Sequence, residues 1–467
     1  MSTPDAAVVR SPADKRRALI SSFLGSTVEY YDFLLYAAAA GLVFPQLFFS
    51  SLSPAVGTTL SFVILLTGYI SRPIGSMAFG HFGDKYGRKN VLVITLLTMG
   101  LVSVAIGLMP SANDVGIIAP ILLVVLRMIQ GVAVGGEWAG ATLMAMEHSE
   151  EGKRGFAASI AIAGGPAGAV LSTFVLAIFS SASGDHFADP SQYFVTDWGW
   201  RVPFLFSAAI VVIGLYMRAQ VKESPDFEAA RSRGDVHTGA PLVKILTSSH
   251  KELVLGTLAA AGGLFIQGLQ AAYLVPYLVA STAENPHPIS REDGLMMVTL
   301  GSMIAIFAMP FAAHLSDLFG RRRVMLAGGG FTIAGVWITL MLLDTGNPVL
   351  VWPALIALVG IVQPSQYGAI GAFISEKFPP EQRYTGSGMA FQLGAIVGAG
   401  VAPLVATRLA QLDQGLVPVA IYATVMMVIS TTAIALSRTP SHTAEVVLDA
   451  PPTPAAAPTQ AASCNRD

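Results

Sequence analysis

The stretch Gly80-His81-Phe82-Gly83-Asp84-Lys85-Tyr86-Gly87-Arg88-Lys89 returns in outline at Ala313-His314-Leu315-Ser316-Asp317-Leu318-Phe319-Gly320-Arg321-Arg322. An Asp, an aromatic, a Gly and a basic pair recur in the same order, and Val91 matches Val324 just beyond. Each copy is a short polar connection between two long apolar runs, the second and third in one case and the eighth and ninth in the other. A loop repeated at equivalent places makes the chain two related halves.

About 20 apolar residues are needed to cross a bilayer as a helix. Twelve runs qualify, near 19–40, 57–80, 91–109, 115–145, 155–180, 199–218, 252–281, 293–314, 324–343, 349–374, 384–409 and 416–436. Their apolarity is continuous, whereas barrel strands would alternate. Of the 467 residues, 53% are hydrophobic and 12% charged, roughly half the charge of a soluble protein. The missing charge means that most of the surface faces lipid, the bilayer being the first partner. Lys15-Arg16-Arg17 before the first run and the small residues Ala37 to Ala40 within it imitate a secretory signal. The run also carries Glu29, Asp32 and three tyrosines, so it reads as a retained span. A net charge of -2 and the lack of a basic module argue against nucleic acid. Cys464 is the single cysteine, which excludes a disulfide framework or a thiolate metal site.

The motif G-x-x-x-D-x-x-G-R-[KR], with a looser copy that begins at Ala313, resembles the signature of the major facilitator superfamily, and the likeness extends from about Leu19 to Arg438. It implies an all-α membrane protein of twelve transmembrane helices in two pseudo-symmetric six-helix bundles. The expected division is a cytoplasmic N-terminal segment 1–18, a first bundle 19–218, a linker 219–251, a second bundle 252–438 and a disordered Pro/Ala/Thr-rich tail 439–467. Lys85, Arg88, Lys89, Lys153, Arg154, Arg218, Lys222, Arg321, Arg322, Arg323 and Arg383 fall on one side with Lys15 to Arg17. The opposite loops 44–56, 110–114, 182–197 and 344–350 lack Lys and Arg, and only Arg291 breaks the pattern. Both termini are therefore expected in the cytoplasm of a bacterial inner-membrane protein.

A charge at bilayer depth costs at least about 2.5–3.5 kcal/mol, so each one needs a reason. The first half has Glu29, Asp32, Arg72, Arg127 and Glu137, and the second half has none near mid-depth. Glu29 and Asp32 are one helical turn apart. Three acids face two arginines, so one carboxylate is left to bind and release a proton. Asp32 is the first candidate, Glu29 close behind, with Glu137 as the third member. Arg127-Met128-Ile129-Gln130-Gly131 puts Arg127 and Gln130 one turn apart, and Gln130 shares a face with Glu137. Its R-x-x-Q-G pattern resembles a superfamily motif linked with proton coupling or anion binding. Arg127 offers a fork of donors to a substrate carboxylate or to Asp32. Arg72 is either a substrate contact or, preferably, the partner of Glu137.

Glu29-Tyr30-Tyr31-Asp32-Phe33, Arg72-Pro73-Ile74-Gly75, Gly135-Gly136-Glu137-Trp138, Gly199-Trp200-Arg201-Val202-Pro203-Phe204, Glu223-Ser224-Pro225 and Arg383-Tyr384-Thr385-Gly386 together resemble the metabolite:proton symporter family, which includes transporters of α-ketoglutarate, citrate, shikimate and proline/betaine. Tyr30 stands where many relatives carry Trp. The tail has no heptads, unlike the osmosensing proline/betaine branch. The resemblance implies proton coupling without fixing the cargo. Substrate-contact candidates are Tyr30, Tyr36, Arg72, Arg127 and Gln130 in the first half, facing Gln267, Gln270, Tyr277, Gln363 and Gln392 in the second. For any one of these amides plain interhelical hydrogen bonding is the preferred role, and it is as a set that they read as cavity lining. Asp84, Arg88, Asp317 and Arg321 are expected to latch the cytoplasmic side, and by the resemblance they release as the halves rock.

Gly164-Gly165-Pro166 in the fifth run resembles an antiporter motif, although in a run so rich in small residues close packing is the preferred reading. No nucleophile–base pair, nucleotide fingerprint, Walker sequence or metal cluster occurs, so neither an enzyme nor a cofactor is expected. The expectation is a monomeric secondary transporter that imports a small organic acid with protons. The alternatives are export by antiport, compatible-solute uptake, and a non-transporting sensor.

Overall fold

The computed structural model describes residues 12–181, 199–223, 241–279, 289–409 and 415–437. The loop 182–198, most of the linker and the tail lie outside them. Among the described residues twelve long helices follow one another, and no strand occurs. They are α1 (Pro12–Leu42), α2 (Pro54–Tyr86), α3 (Arg88–Gly107), α4 (Ile118–Glu147), α5 (Arg154–Ser181) and α6 (Arg201–Ala219). After a short helix Pro241–Ser248 come α7 (His250–Leu269, continued to Val279), α8 (Arg291–Phe319), α9 (Arg321–Leu343), α10 (Pro348–Ala357, continued to Ser375), α11 (Arg383–Ala395, continued to Leu409) and α12 (Val417–Leu436). Eleven of them are long and apolar enough to cross a membrane, and α1 is the more polar twelfth.

The repeated polar stretch is shorter as a loop than its composition implies. Helix α2 runs on through His81 to Tyr86, and α3 begins at Arg88, so the whole connection is Gly87. Gly320 joins α8 to α9 in the same way. Both glycines have φ near +90° (99° and 90°), a region that costs a side-chain-bearing residue strain. The duplicated Gly is thus a hinge requirement, and the polar residues around it are the last helical turns.

In the first six helices α1 packs on α5, α2 on α4, and α3 on α4 and α6; in the last six α7 packs on α11 and α12, and α9 on α12. Across the halves α5 lies against α8, and α2 against α11. Glycines permit two of the closest crossings. A Cβ at Gly164 would stand 2.5 Å from the Phe23 carbonyl, and one at Gly168 2.6 Å from that of Thr27, so the small residues of α5 seat α1. Gly135 lies on the Arg72 carbonyl, and Ser76 donates to the Gly135 carbonyl at 2.6 Å, closing α2 on α4.

The apolar core is divided unevenly. One cluster mixes both halves, with Val91, Trp138, Leu143 and Ile162 beside Leu253, Phe373, Tyr384 and Phe391. Two further clusters each belong to one half, around Tyr36, Phe44 and Trp200 and around Phe265, Leu340 and Val419. The mixed core lies toward the end where Lys15, Glu150, Asp317 and Arg321 meet, here the basic end. Toward the opposite end the two cores separate.

Candidate substrate and proton site

Where the cores part, a cavity of about 540 Å³ opens. Its first-half wall includes Glu29, Tyr30 and Phe33 of α1, Tyr69 and Arg72 of α2, and Gly165 and Pro166 of α5. The second-half wall carries Gln267 and Gln270 of α7, Ser302 of α8, Gln363 of α10 and Phe391 of α11. Each of α7, α10 and α11 contains one wide five-residue π turn, at Gln270–Leu274, Leu358–Val362 and Ile396–Gly400. Each turn contributes a wall residue: Gln270, Val359 and Ala399. Such turns shift the register of the side chains that follow, and they concentrate at functional sites.

Glu29 and Arg72 are the only carboxylate and the only guanidinium on the wall among the described residues. Glu29 is 4% exposed, forms no ion pair among the described residues, and its Oε2 has no hydrogen-bond partner there. The Arg72 guanidinium carbon stands 4.5 Å from the Tyr69 ring centroid and 4.8 Å from that of Phe33, with Nε unpartnered among the described residues. Arg127 approaches the same Phe33 ring at 5.0 Å. Two cations thus share one aromatic side chain, a favourable contact that leaves their charge uncancelled. On the facing wall the Gln363 amide Nε2 is buried and without a partner among the described residues, while Gln270 Nε2 donates to the Leu358 carbonyl at 3.3 Å.

Other predicted residues sit elsewhere. Asp32 points between helices of its own half, where Ser207 donates to its Oδ1 at 2.5 Å and its Oδ2 has no partner among the described residues. It is not on the cavity wall, so the first-ranked acid is behind the site and the second-ranked one is in it. Arg127 is also behind the wall, over the Tyr36 ring at 4.1 Å and donating to Gln130 Oε1 at 2.6 Å. Gln130 in turn donates to Ser103 at 3.0 Å. Tyr277 donates to Asp344 at 2.9 Å in an exposed contact. Gln392 is fully buried, and neither atom of its amide has a partner among the described residues.

Glu137 corrects the charge count. Its partner is Arg218 of α6, not Arg72, and Thr95 donates to its other oxygen at 2.9 Å. With Arg218 added to Arg72 and Arg127, and apart from the buried pair Arg88–Glu147 at the helix ends, three arginines face the three acids, and the unpaired state of Glu29 is a matter of geometry, not of number. Arg218 reads as a surface charge in the sequence. The signal for its burial is the stripe Phe204, Ser207, Val211, Gly214 and Arg218, which falls on one face of α6.

The basic end is closed by polar contacts across the halves. Asp317 accepts from the backbone N–H groups of Gly155 (3.0 Å) and Phe156 (2.8 Å) in the first turn of α5, where a carboxylate meets the unpaired amides and the helix dipole. Arg321 pairs with Asp317 and, at 3.0 Å, with Glu376 at the end of α10. Arg88 mirrors it by pairing with Glu147 at the end of α4, a partner not anticipated from the sequence, while its backbone N–H donates to Glu223 at 3.0 Å. The Asp84 side chain lies outside the described residues. Tyr384 donates to the Gly136 carbonyl at 2.5 Å. Trp138 stacks on Phe391 at 3.7 Å and 7°, forming a floor between cavity and basic end. Arg201 departs from the predicted charge asymmetry. It lies away from the basic end and caps the carbonyls of Gly107 (2.9 Å) and Met109 (2.6 Å) at the end of α3.

A bundle of apolar helices around a central chamber, sealed at one end, defines a membrane transporter. The model of the Major Facilitator Superfamily matches residues 22–283 and again 260–462. The inner membrane metabolite transport protein YhjE of Escherichia coli is 36% identical over 435 residues, 92% of this chain and 95% of that one. The shikimate transporter of Escherichia coli is 35% identical over 395 residues, 84% of this chain and 87% of that one. The crystal structure of a D-xylose-proton symporter matches with a TM-score of 0.67 over 90% of this chain and 97% of its own, at 17% identity, a likeness of fold. The chain belongs to the Major Facilitator Superfamily. It is a transporter and not an enzyme.

Proposed function

We propose that the protein is a proton-coupled symporter that imports a small organic acid across a bacterial inner membrane by alternating access. The observation that carries this reading is Glu29, a buried carboxylate without an ion pair among the described residues, on the wall of the shared cavity beside Arg72. A buried ionisable group beside the substrate path, free of a fixed partner, is placed to take a proton from the open end. Arg72 supplies the cation that an acid requires. Asp32, Arg127 and Gln130 act from behind the wall by holding α1, α3, α4 and α6 in register, and Glu137 with Arg218 ties α4 to α6. The relatives' names, metabolite and shikimate transport, support a small metabolite as cargo.

In this reading the halves 19–218 and 252–438 rock about the cavity in a monomer with both termini cytoplasmic. The basic end is the cytoplasmic gate, formed by Asp317, Arg321 and Glu376 with Arg88 and Glu147. The closed basic end and the cavity beyond it correspond to an outward-facing state. The test is uptake in proteoliposomes under an imposed pH gradient with dicarboxylates, shikimate-like acids and betaines. Gradient-driven accumulation that Glu29→Gln abolishes supports the proposal; uptake of an acid that ignores the gradient refutes coupling.

A further inference from the structure

The charges on the cavity wall restrict the cargo more tightly than its volume does, a restriction that rests on the organic-acid reading. Arg72 is the only cation on the wall among the described residues, and Arg127 is held behind it by Tyr36 and Gln130. From the geometry we infer that the substrate is a monocarboxylate with an otherwise uncharged body, its carboxylate on Arg72 and a hydroxyl or carbonyl on Gln363.

Two buried donors face the cavity from opposite walls: Arg72, 7% exposed with Nε free, and Gln363, 3% exposed with Nε2 free among the described residues. A guanidinium matches one carboxylate with charge and paired donors. A second carboxylate on the same molecule would reach a wall of amides, hydroxyls and apolar groups, or Glu29 itself. A buried charge without a counter-charge is strongly disfavoured, so di- and tricarboxylates are rejected by what the wall lacks. A quaternary ammonium would need free aromatic faces. The Phe33 and Tyr69 rings already hold Arg72, and Phe33 also holds Arg127, so once Glu29 carries the coupled proton that stretch of wall is electropositive and repels a cationic head. The volume of about 540 Å³ admits a ring-sized metabolite.

The test is counterflow in proteoliposomes with shikimate, quinate, benzoate, succinate, citrate and glycine betaine, each supplied on both sides. At least one monocarboxylate should exchange, at least about tenfold faster than succinate, citrate or betaine. Equal or faster exchange of succinate or citrate overturns the single-charge rule and leaves organic-acid transport standing. Exchange of betaine alone, or of no probe by a folded protein, overturns both. A gain of function tests the same point without reliance on loss. Gln363→Lys supplies a second cation, and in a folded variant it should raise succinate exchange at least tenfold relative to the preferred monocarboxylate. An unchanged ratio contradicts the assignment of Arg72 and Gln363.

Discussion

Removing the Asp317 side chain should release the basic end. Its carboxylate accepts two backbone N–H groups of α5 at 3.0 and 2.8 Å and pairs with Arg321, while its side chain is only 3% exposed. Hydrogen bonds to a charged group contribute about 1.5–3 kcal/mol each. Part of that returns in Asp317→Ala, because Arg321 keeps Glu376 and the freed amides of α5 meet water as the halves part. A net loss of about 3 kcal/mol from the closed form is a shift of about 150-fold in the equilibrium between the two end states. A population near 99:1 would move to about 40:60. With Cys464, the single cysteine, replaced by Ser, Ala38→Cys on the cavity wall reports the open chamber. Labelling by an impermeant maleimide from the end opposite the basic loops should slow about 2.5-fold in Asp317→Ala. An unchanged rate in a folded variant would show that this contact does not hold the end shut.

Breaking the Glu137–Arg218 pair leaves a charge in the core, so Arg218→Met should destabilise by about 3–5 kcal/mol, and the double variant with Glu137→Gln should recover most of it; thermal unfolding in detergent gives both values. Burial pushes the Lys377 ammonium down to about 8 from 10.5, against the pull of Glu252 and Glu376. The unfolded chain then holds this proton over a range in which the folded chain does not, so stability should rise between about pH 8 and 10.5. Lys377→Met should lack that rise, which a pH series of unfolding temperatures would reveal. Gly164→Ala would put a methyl 2.5 Å from the Phe23 carbonyl and should lower the unfolding temperature by several degrees. Gly330→Ala meets nothing within 4 Å, and it should be neutral or stabilise by about 0.5–1 kcal/mol.

Periodic and repeated features were legible in the sequence. Continuous apolar runs locate the helices because a bilayer demands about 20 such residues, and the second Gly-Arg copy exposes the repeat because one glycine must take a positive φ in each half. What could not be read was which side of a helix faces the cavity. Glu29 and Asp32 lie three residues apart on α1, and only the packing of α6, through Ser207, turns one inward and leaves the other on the cavity wall. The burial of Arg218 is hidden in the sequence for a related reason. A cation near the end of a span serves equally as a topology signal or as a buried partner, and Glu137, 81 residues away, decides between them. The amides divide on local geometry: the wide turns of α7 and α10 precede or contain Gln270 and Gln363 on the wall, whereas Gln392 remains inside the helix packing.

Proton movement with the substrate tests Glu29 most directly. In lightly buffered proteoliposomes, addition of the acid that exchanges in counterflow should alkalinise the external medium as acid and proton enter together. Glu29→Gln should still exchange the acid between compartments yet give no alkalinisation. A variant that alkalinises the medium as the wild type does would show that the proton travels by another group, and the role given to Glu29 would be wrong.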